Sequence, residues 1–95
     1  MIDKQQCKIL KQMVEEQGWT IVDVRTAHEF YHGHFPGAIH CAPEDLARLD
    51  SFGKYLLYCR SGARSETAKN FLRMKDIDAI NIGGYDALKE CLGSN

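Results

Sequence analysis

Short apolar runs and longer amphipathic stretches alternate along the chain. Residues 20–24 (Thr-Ile-Val-Asp-Val) and 55–58 (Tyr-Leu-Leu-Tyr) are rich in β-branched, aliphatic and aromatic side chains and are almost wholly apolar. Runs of this kind are typical of strands that are covered on both faces in a parallel sheet. The briefer runs at 38–41 and 79–82 predict two more strands.

Apolar residues recur at helical spacing in the segments between these runs. Thr26 and Glu29 have the spacing of a capping box, and Pro43 suits the first turn of a helix. Helices are predicted over residues 3–16, between Thr26 and Gly33, over residues 43–50, for about three turns after residue 62, and in a short segment after Gly84. Strands and helices in this order predict an α/β fold with an open parallel sheet and right-handed crossovers.

The composition is that of an ordinary folded chain. Ninety-five residues, of which 44% are hydrophobic and 26% are charged, predict a single domain over residues 1–95. No apolar run has signal-peptide or membrane-spanning length, so we expect a cytoplasmic protein with no membrane partner. A net charge of -1 with interspersed signs leaves no polybasic surface for nucleic acid.

The four cysteines are widely spaced and include no Cys-x-x-Cys pair; they are Cys7, Cys41, Cys59 and Cys91. This spacing argues against a disulfide framework and against a zinc ribbon, and it predicts at least one free thiol. We interpret Cys41 and Cys91 as ordinary semi-buried cysteines, with a resolving thiol as the alternative.

Histidines are concentrated in one part of the chain, at His28, His32 and His34, with His40 and Cys41 nearby. A metal site is one interpretation of this concentration. The spacings of structural zinc sites are missing, which favours surface and loop histidines instead. We therefore assign no metal ligand and expect no cofactor.

Residues 59–65, Cys-Arg-Ser-Gly-Ala-Arg-Ser, directly follow a predicted buried strand. Ligands of open parallel sheets bind outside the carboxyl ends of the strands, which is where Cys59 is expected. Gly62 tolerates a positive φ, and its small neighbours leave backbone N–H groups unobstructed. The loop is therefore predicted to form a cradle of amides around the cysteine sulfur.

Three features of this loop favour a thiolate on Cys59: its amides, the amino end of the following helix, and the charges of Arg60 and Arg64. A cysteine that ends a buried strand is often inert. Here, however, two arginines lie beside a glycine, where they suit anion recognition and where packing does not explain their presence. Cys59 is therefore the candidate nucleophile, and the candidate substrate-binding residues are Arg60, Ser61, Gly62, Ala63, Arg64 and Ser65.

Several motifs together resemble the rhodanese family, over nearly the whole chain from about Ile2 to Leu92. They are Asp23-Val24-Arg25, Glu29-Phe30, residues 33–39 (Gly-His-Phe-Pro-Gly-Ala-Ile), the loop at residues 59–65, and Gly83-Gly84-Tyr85. Each of the shorter motifs is weak by itself, whereas their common order and spacing make the resemblance specific.

The resemblance implies a parallel sheet of about five strands flanked by helices. It also implies that Cys59 takes the outer sulfur of a donor anion such as thiosulfate, releases sulfite, and passes the sulfur from a persulfide to cyanide, a small thiol or a partner protein. Asp23, Arg25 and Glu29 match motif positions with a structural role, in which carboxylates hold Arg25. The short stretch at residues 41–55 leaves few residues to wall the pocket, which predicts a shallow, open site.

Two other functions use a similar loop. Cysteine phosphatases and arsenate reductases also hold a thiolate in a loop that ends in arginine, but only four residues separate Cys59 from Arg64 here, whereas the phosphatase loop has five. The shorter loop fits a single sulfur better than a phosphate. A non-enzymatic sulfur carrier or regulatory binding module is the remaining alternative, and the sequence does not separate a carrier from an enzyme.

Overall fold

Helices and strands alternate through residues 2–93, the part of the chain that the computed structural model describes. In chain order the elements are α1 (Lys4–Glu16), β1 (Thr20–Asp23), α2 (Ala27–His32), β2 (Ile39–His40), a 3-10 helix (Pro43–Arg48), β3 (Lys54–Cys59), α3 (Ala63–Met74), β4 (Asp78–Gly84) and α4 (Tyr85–Leu92). The predicted elements are all present. The segment predicted as helical over residues 43–50 is a 3-10 helix, which ends at Arg48 because Leu49 has an extended backbone.

The strands pair in parallel in the order β2-β1-β3-β4. Residues 2–93 thus contain a sheet of four strands, close to the number of about five that the sequence implied. The α/β fold class with a parallel sheet and flanking helices is confirmed. Its central strands, β1 and β3, lie side by side up to the pair Asp23 and Tyr58, which brings the residues that follow this pair to the same edge of the sheet.

Strand β3 is buried on both faces, which explains its continuous apolar run. Leu57 and Cys59 face one core cluster, where they join Leu72 of α3. Leu56 and Tyr58 face the opposite cluster, against which residues of α1 and α4 pack. Because successive side chains of a strand point to opposite faces, Cys59 lies on the α3 side of the sheet.

The interpretation of Cys91 as an ordinary semi-buried cysteine was wrong. Cys7 of α1 and Cys91 of α4 form a disulfide, although 84 residues separate them in sequence. The two helices pack on the same side of the sheet, so the fold brings together cysteines from the two ends of the chain. Cys91 is therefore not an ordinary semi-buried thiol, whereas Cys41 and Cys59 are free and buried.

The histidines of this part of the chain contact aromatic rings and backbone carbonyl groups. The His34 ring stacks on Phe30 at a centroid distance of 3.8 Å, and the rings of His28 and His32 lie 4.2 Å apart. His40 Nε2 lies 2.7 Å from the carbonyl oxygen of Arg25. Within residues 2–93 no three His, Cys, Asp or Glu side chains are grouped to hold a metal ion. No helix in the same range is long and apolar enough to cross a membrane.

Candidate active site

Cys59 is the last residue of β3, and the chain turns after it into α3 within three residues. Gly62 makes this turn possible, since it caps α3 with a left-handed backbone at φ 98°. A side chain at this φ would strain the backbone. The turn therefore places the amino end of α3 next to the cysteine, as the sequence predicted.

Two donors face the sulfur of Cys59. The N–H of Gly62 donates to Sγ over 3.0 Å, and the Ser65 hydroxyl lies within donating distance at 3.4 Å. Burial raises the pKa of the thiol, but the Ser65 hydroxyl and the nearby backbone amides of Ser65, Ser61 and Gly62 lower it by more, so the pKa of Cys59 lies below its ordinary value. The direction agrees with the sequence prediction. The leading stabilising contributions come from hydrogen bonds rather than from the two arginines.

The sulfur is more enclosed than expected. Only 1% of Cys59 is exposed, because it belongs to the core cluster that also contains Ala68. The prediction of a shallow, open site is therefore wrong at the cysteine itself. The exposed residues are those on the outside of the loop, namely Arg60, Ser61 and Ala63.

Arg64 is already paired within the chain. Its guanidinium donates from Nη1 to Glu29 Oε1 over 2.8 Å and from Nη2 to Glu29 Oε2 over 3.2 Å. The fork of Arg64 is the main reason that the pKa of Glu29 falls to about 2. The same carboxylate accepts the backbone N–H of Thr26, which completes the predicted capping box of α2. Glu29 thus joins the start of α2 to the candidate loop.

Arg25 occupies a different environment. Its guanidinium donates to Asp23 from Nε and Nη2, with Nη2 and Oδ2 2.6 Å apart, and to the carbonyl of Gly33. The hydroxyl of Tyr58 donates to the same Asp23 carboxylate over 2.7 Å. A structural role for this pair agrees with the prediction, but among residues 2–93 one carboxylate rather than several pairs with Arg25. Glu29, the other candidate, binds Arg64 instead.

Asn81 of β4 touches the loop, and sequence reasoning missed it. Its amide nitrogen donates to the carbonyl of Gly62, and its amide oxygen lies 2.7 Å from the Ser65 hydroxyl. The strand pairing shifts beside it, between Leu57 and Tyr58. Asn81 is a lone polar residue in an apolar run just before a glycine pair, which was the one available signal.

Gly84 allows β4 to lie against the loop. A Cβ at this position would come within 2.6 Å of the carbonyl oxygen of Arg60 and 3.3 Å of the Cα of Ser61. Both contacts are with backbone, which has little freedom to move away. Gly84 of the Gly83-Gly84-Tyr85 motif is thus needed for the close packing of the candidate loop against the sheet.

Known proteins match both this sequence and this fold. The rhodanese-like domain family matches residues 6–91, which include every residue of the site described above. The chain belongs to this family. A provisionally named sulfurtransferase of Bacillus subtilis, YtwF, is 31% identical over 80 residues, which cover 79% of this chain and 78% of that protein.

Two further similar proteins extend the comparison. The thiosulfate sulfurtransferase GlpE of Actinobacillus pleuropneumoniae is 26% identical over 81 residues, which cover 79% of this chain and 75% of that protein. The crystal structure of the Alr3790 protein from Anabaena sp. has a TM-score of 0.78 and 25% identity, and the match covers 94% of this chain and 77% of that chain. The chain is therefore a rhodanese-like domain whose relatives include proteins named as sulfurtransferases.

Proposed function

We propose that this rhodanese-like domain is a sulfurtransferase that moves sulfane sulfur from an anionic donor, such as thiosulfate, to a thiophilic acceptor through a persulfide on Cys59. The observation that carries the proposal is the pair of donors on the Cys59 sulfur, the Gly62 amide and the Ser65 hydroxyl. These groups favour the thiolate, which is the nucleophilic form of cysteine.

In the first step the Cys59 thiolate attacks the outer sulfur of thiosulfate. A sulfur–sulfur bond forms to Cys59, the sulfur–sulfur bond within thiosulfate breaks, and sulfite leaves with the electron pair. The outer sulfur of the resulting persulfide is anionic. The amino end of α3 and the loop amides favour negative charge at this position, so no separate base is needed.

In the second step a thiophilic acceptor attacks the outer sulfur of the persulfide. Cyanide would leave as thiocyanate, and a thiolate acceptor would itself become a persulfide, while Cys59 departs as a thiolate in either case. The thiolate is then ready for another donor, because no proton has to be removed from it. The loop residues that solvent reaches, Arg60, Ser61 and Ala63, are the ones that an acceptor would meet first.

Charge at the loop supports an anionic donor. Arg60 is exposed at its outer surface, and the guanidinium of Arg64 keeps N–H groups beyond the two that bind Glu29. The name of the relative GlpE, a thiosulfate sulfurtransferase, agrees with such a donor. Thiosulfate is accordingly the first donor to test.

The decisive experiment is an intact-mass measurement after incubation with thiosulfate, without reducing agent. We expect the mass of one added sulfur atom, which cyanide removes and peptide mapping assigns to Cys59. Cys59→Ser should abolish the adduct, whereas the matched variant Cys41→Ser, at the other free and buried cysteine, should retain it. An adduct that persists in Cys59→Ser would refute the assignment, and a parent protein without an adduct would favour the binding-module alternative.

Aryl phosphates provide a second test. The four residues between Cys59 and Arg64 leave less room for phosphate oxygens than the phosphatase loop does. We therefore expect sulfur transfer to exceed phosphate release by far. A phosphatase turnover that equals sulfur transfer and disappears in Cys59→Ser would reverse this order.

A further inference from the structure

Asn81 bonds to both of the residues that face the Cys59 sulfur. Its Nδ2 donates to the carbonyl of Gly62 over 3.0 Å, and its Oδ1 lies 2.7 Å from the hydroxyl oxygen of Ser65. Gly62 and Ser65 are in turn 3.0 and 3.4 Å from Sγ. One side chain from β4 thus holds the two donors of a sulfur that lies on β3.

The orientation of the Asn81 amide is fixed by four partners. Nδ2 has two acceptors, the Gly62 carbonyl and Oε1 of Glu66, each 3.0 Å away. Oδ1 accepts the backbone N–H of Gly83 over 3.0 Å in addition to its contact with Ser65. If the amide oxygen and nitrogen were exchanged, the oxygen would face two other acceptors, the Gly62 carbonyl and Glu66 Oε1. The nitrogen would face the N–H of Gly83, which is also a donor.

The Ser65 hydroxyl has one proton for two acceptors. It points to Asn81 Oδ1 at 2.7 Å or to Cys59 Sγ at 3.4 Å. When the sulfur carries a charge, the proton is drawn to it, since hydrogen bonds to charged acceptors are stronger. Asn81 Oδ1 still accepts the N–H of Gly83 in that state, so it keeps one hydrogen-bond donor when the hydroxyl turns.

We infer that Asn81 is a positioning residue for the Cys59 thiolate, which holds Gly62 and Ser65 in the arrangement that a charged sulfur requires. The inference rests on the proposed role of Cys59 as the nucleophile. Asn81 acts only through its neighbours. A residue that served packing alone would not need an amide oxygen that keeps another donor when the Ser65 hydroxyl turns to the sulfur.

Charged groups around this network come from two helices. Glu66 and Arg64 lie on α3, where Glu66 is paired with Lys69 at 2.7 Å. Arg64 is paired with Glu29 of α2. A charge introduced at position 81 would therefore meet the Glu66 carboxylate first, because Glu66 already contacts the Asn81 side chain.

The test is the pH dependence of Cys59 alkylation by iodoacetamide, followed by peptide mapping, which needs no sulfur donor. In Asn81→Leu the midpoint should rise by about one pH unit, a tenfold change in the thiolate fraction at a given pH below both midpoints. Asn70→Leu makes the same change at an exposed position of α3 and should leave the midpoint where it is in the parent. A folded Asn81→Leu protein with the parental midpoint would overturn the inference.

A second pair of variants carries the test even if Asn81→Leu does not fold. Asn81→Asp keeps the acceptor for Ser65 and Gly83 but places a carboxylate oxygen against Glu66 and the Gly62 carbonyl, so its midpoint should exceed that of the parent. Adding Glu66→Gln to Asn81→Asp removes the repulsion between the two carboxylates, so the midpoint should fall part of the way back to the parental value. Equal midpoints in the parent and in Asn81→Asp would contradict the positioning role.

Kinetics separate this inference from the proposed function. Sulfur loading in Asn81→Leu should fall mainly in kcat, while KM for thiosulfate should change less, because Arg60 and Arg64 are untouched. Failure of the parent to form a persulfide would refute the proposed function alone. A parental kcat in a folded Asn81→Leu protein that still forms the persulfide would refute the positioning role alone.

Discussion

The two arginine–carboxylate pairs near the candidate site have the same chemistry in opposite environments. Asp23 and Arg25 form a pair whose side chains are 0% and 7% exposed, whereas the side chains of Glu29 and Arg64 are 25% and 39% exposed. The buried pair also involves the Tyr58 hydroxyl and the Gly33 carbonyl. The outer pair reaches solvent and lies beside the Cys59 loop.

This difference assigns separate tasks to similar residues. Taking a charge out of water is costly unless every partner is present, so the inner pair is constrained as a unit. An exposed pair contributes little to stability, and its arginine can exchange one anion for another at low cost. The inner pair should therefore govern folding, and Arg64 of the outer pair should govern donor binding.

The largest expected effect is that of Asp23→Asn. This change leaves Arg25 as an uncompensated buried charge and should lower the free energy of unfolding by about 3–5 kcal/mol. Glu29→Gln is the same chemical change in the outer pair and should cost no more than about 1 kcal/mol. Urea unfolding of both variants measures the difference, and similar losses would remove the distinction between the pairs.

Tyr58→Phe tests the inner pair without removing a charge. The hydroxyl of Tyr58 donates to Asp23 Oδ2, and a hydrogen bond to a charged group is worth about 1.5–3 kcal/mol. The urea midpoint should therefore fall, by less than in Asp23→Asn. Tyr55→Phe is the control, because Tyr55 donates to the backbone carbonyl of Asp50, an uncharged acceptor. A larger loss in Tyr55→Phe would contradict the importance of the charged acceptor.

Arg64→Ala should act on sulfur transfer rather than on folding. Removing the guanidinium should lower kcat/KM for thiosulfate about tenfold, which is about 1.4 kcal/mol, mainly through a higher KM. Arg64→Lys keeps the charge but loses the planar fork, so it should fall between Arg64→Ala and the parent.

Arg60→Ala is the control for Arg64→Ala, because it removes the other charge of the loop from an exposed position. It should have a smaller effect, since Arg64 lies where the loop meets α3. Parental kinetics in Arg64→Ala would remove this residue from the candidate site.

The sequence predicted features that depend on local order along the chain. The apolar run of β3 and the glycine at position 62 were sufficient to place Cys59 at a strand end beside the start of a helix. Pairs that the fold assembles were not predictable in the same way. Glu29 and Arg64 are 35 residues apart, and Cys7 and Cys91 are 84 residues apart. Nothing in their local sequence identifies the partner.

Asn81 illustrates the same limit at the candidate site. Its neighbours in sequence predict a strand, and the strand was found. Its function in the network depends on the register between β3 and β4, which shifts between Leu57 and Tyr58. A periodicity argument gives the existence of a strand but not its exact register when the flanking residues are glycines.

The smallest expected effect is the pH dependence of the outer pair. Pairing with Arg64, together with hydrogen bonds from Thr26, lowers the pKa of Glu29 from 4.5 to about 2. Because the folded-state pKa lies below the unfolded value, the pair stabilises the fold fully above about pH 4.5, and this contribution is lost as the pH falls toward 2. The amount should stay below about 1 kcal/mol, since solvent screens an exposed pair.

The measurement is the unfolding free energy of the parent minus that of Glu29→Gln, at neutral pH and at intervals down to the lowest pH at which both proteins remain folded. Contributions that do not involve Glu29 are common to both proteins and cancel in this difference. The difference should shrink with acidification and also with added salt. A difference that grows as the pH falls would mean that Glu29 is stabilised in its protonated form, and the outer pair would then not be the ion pair that the geometry indicates.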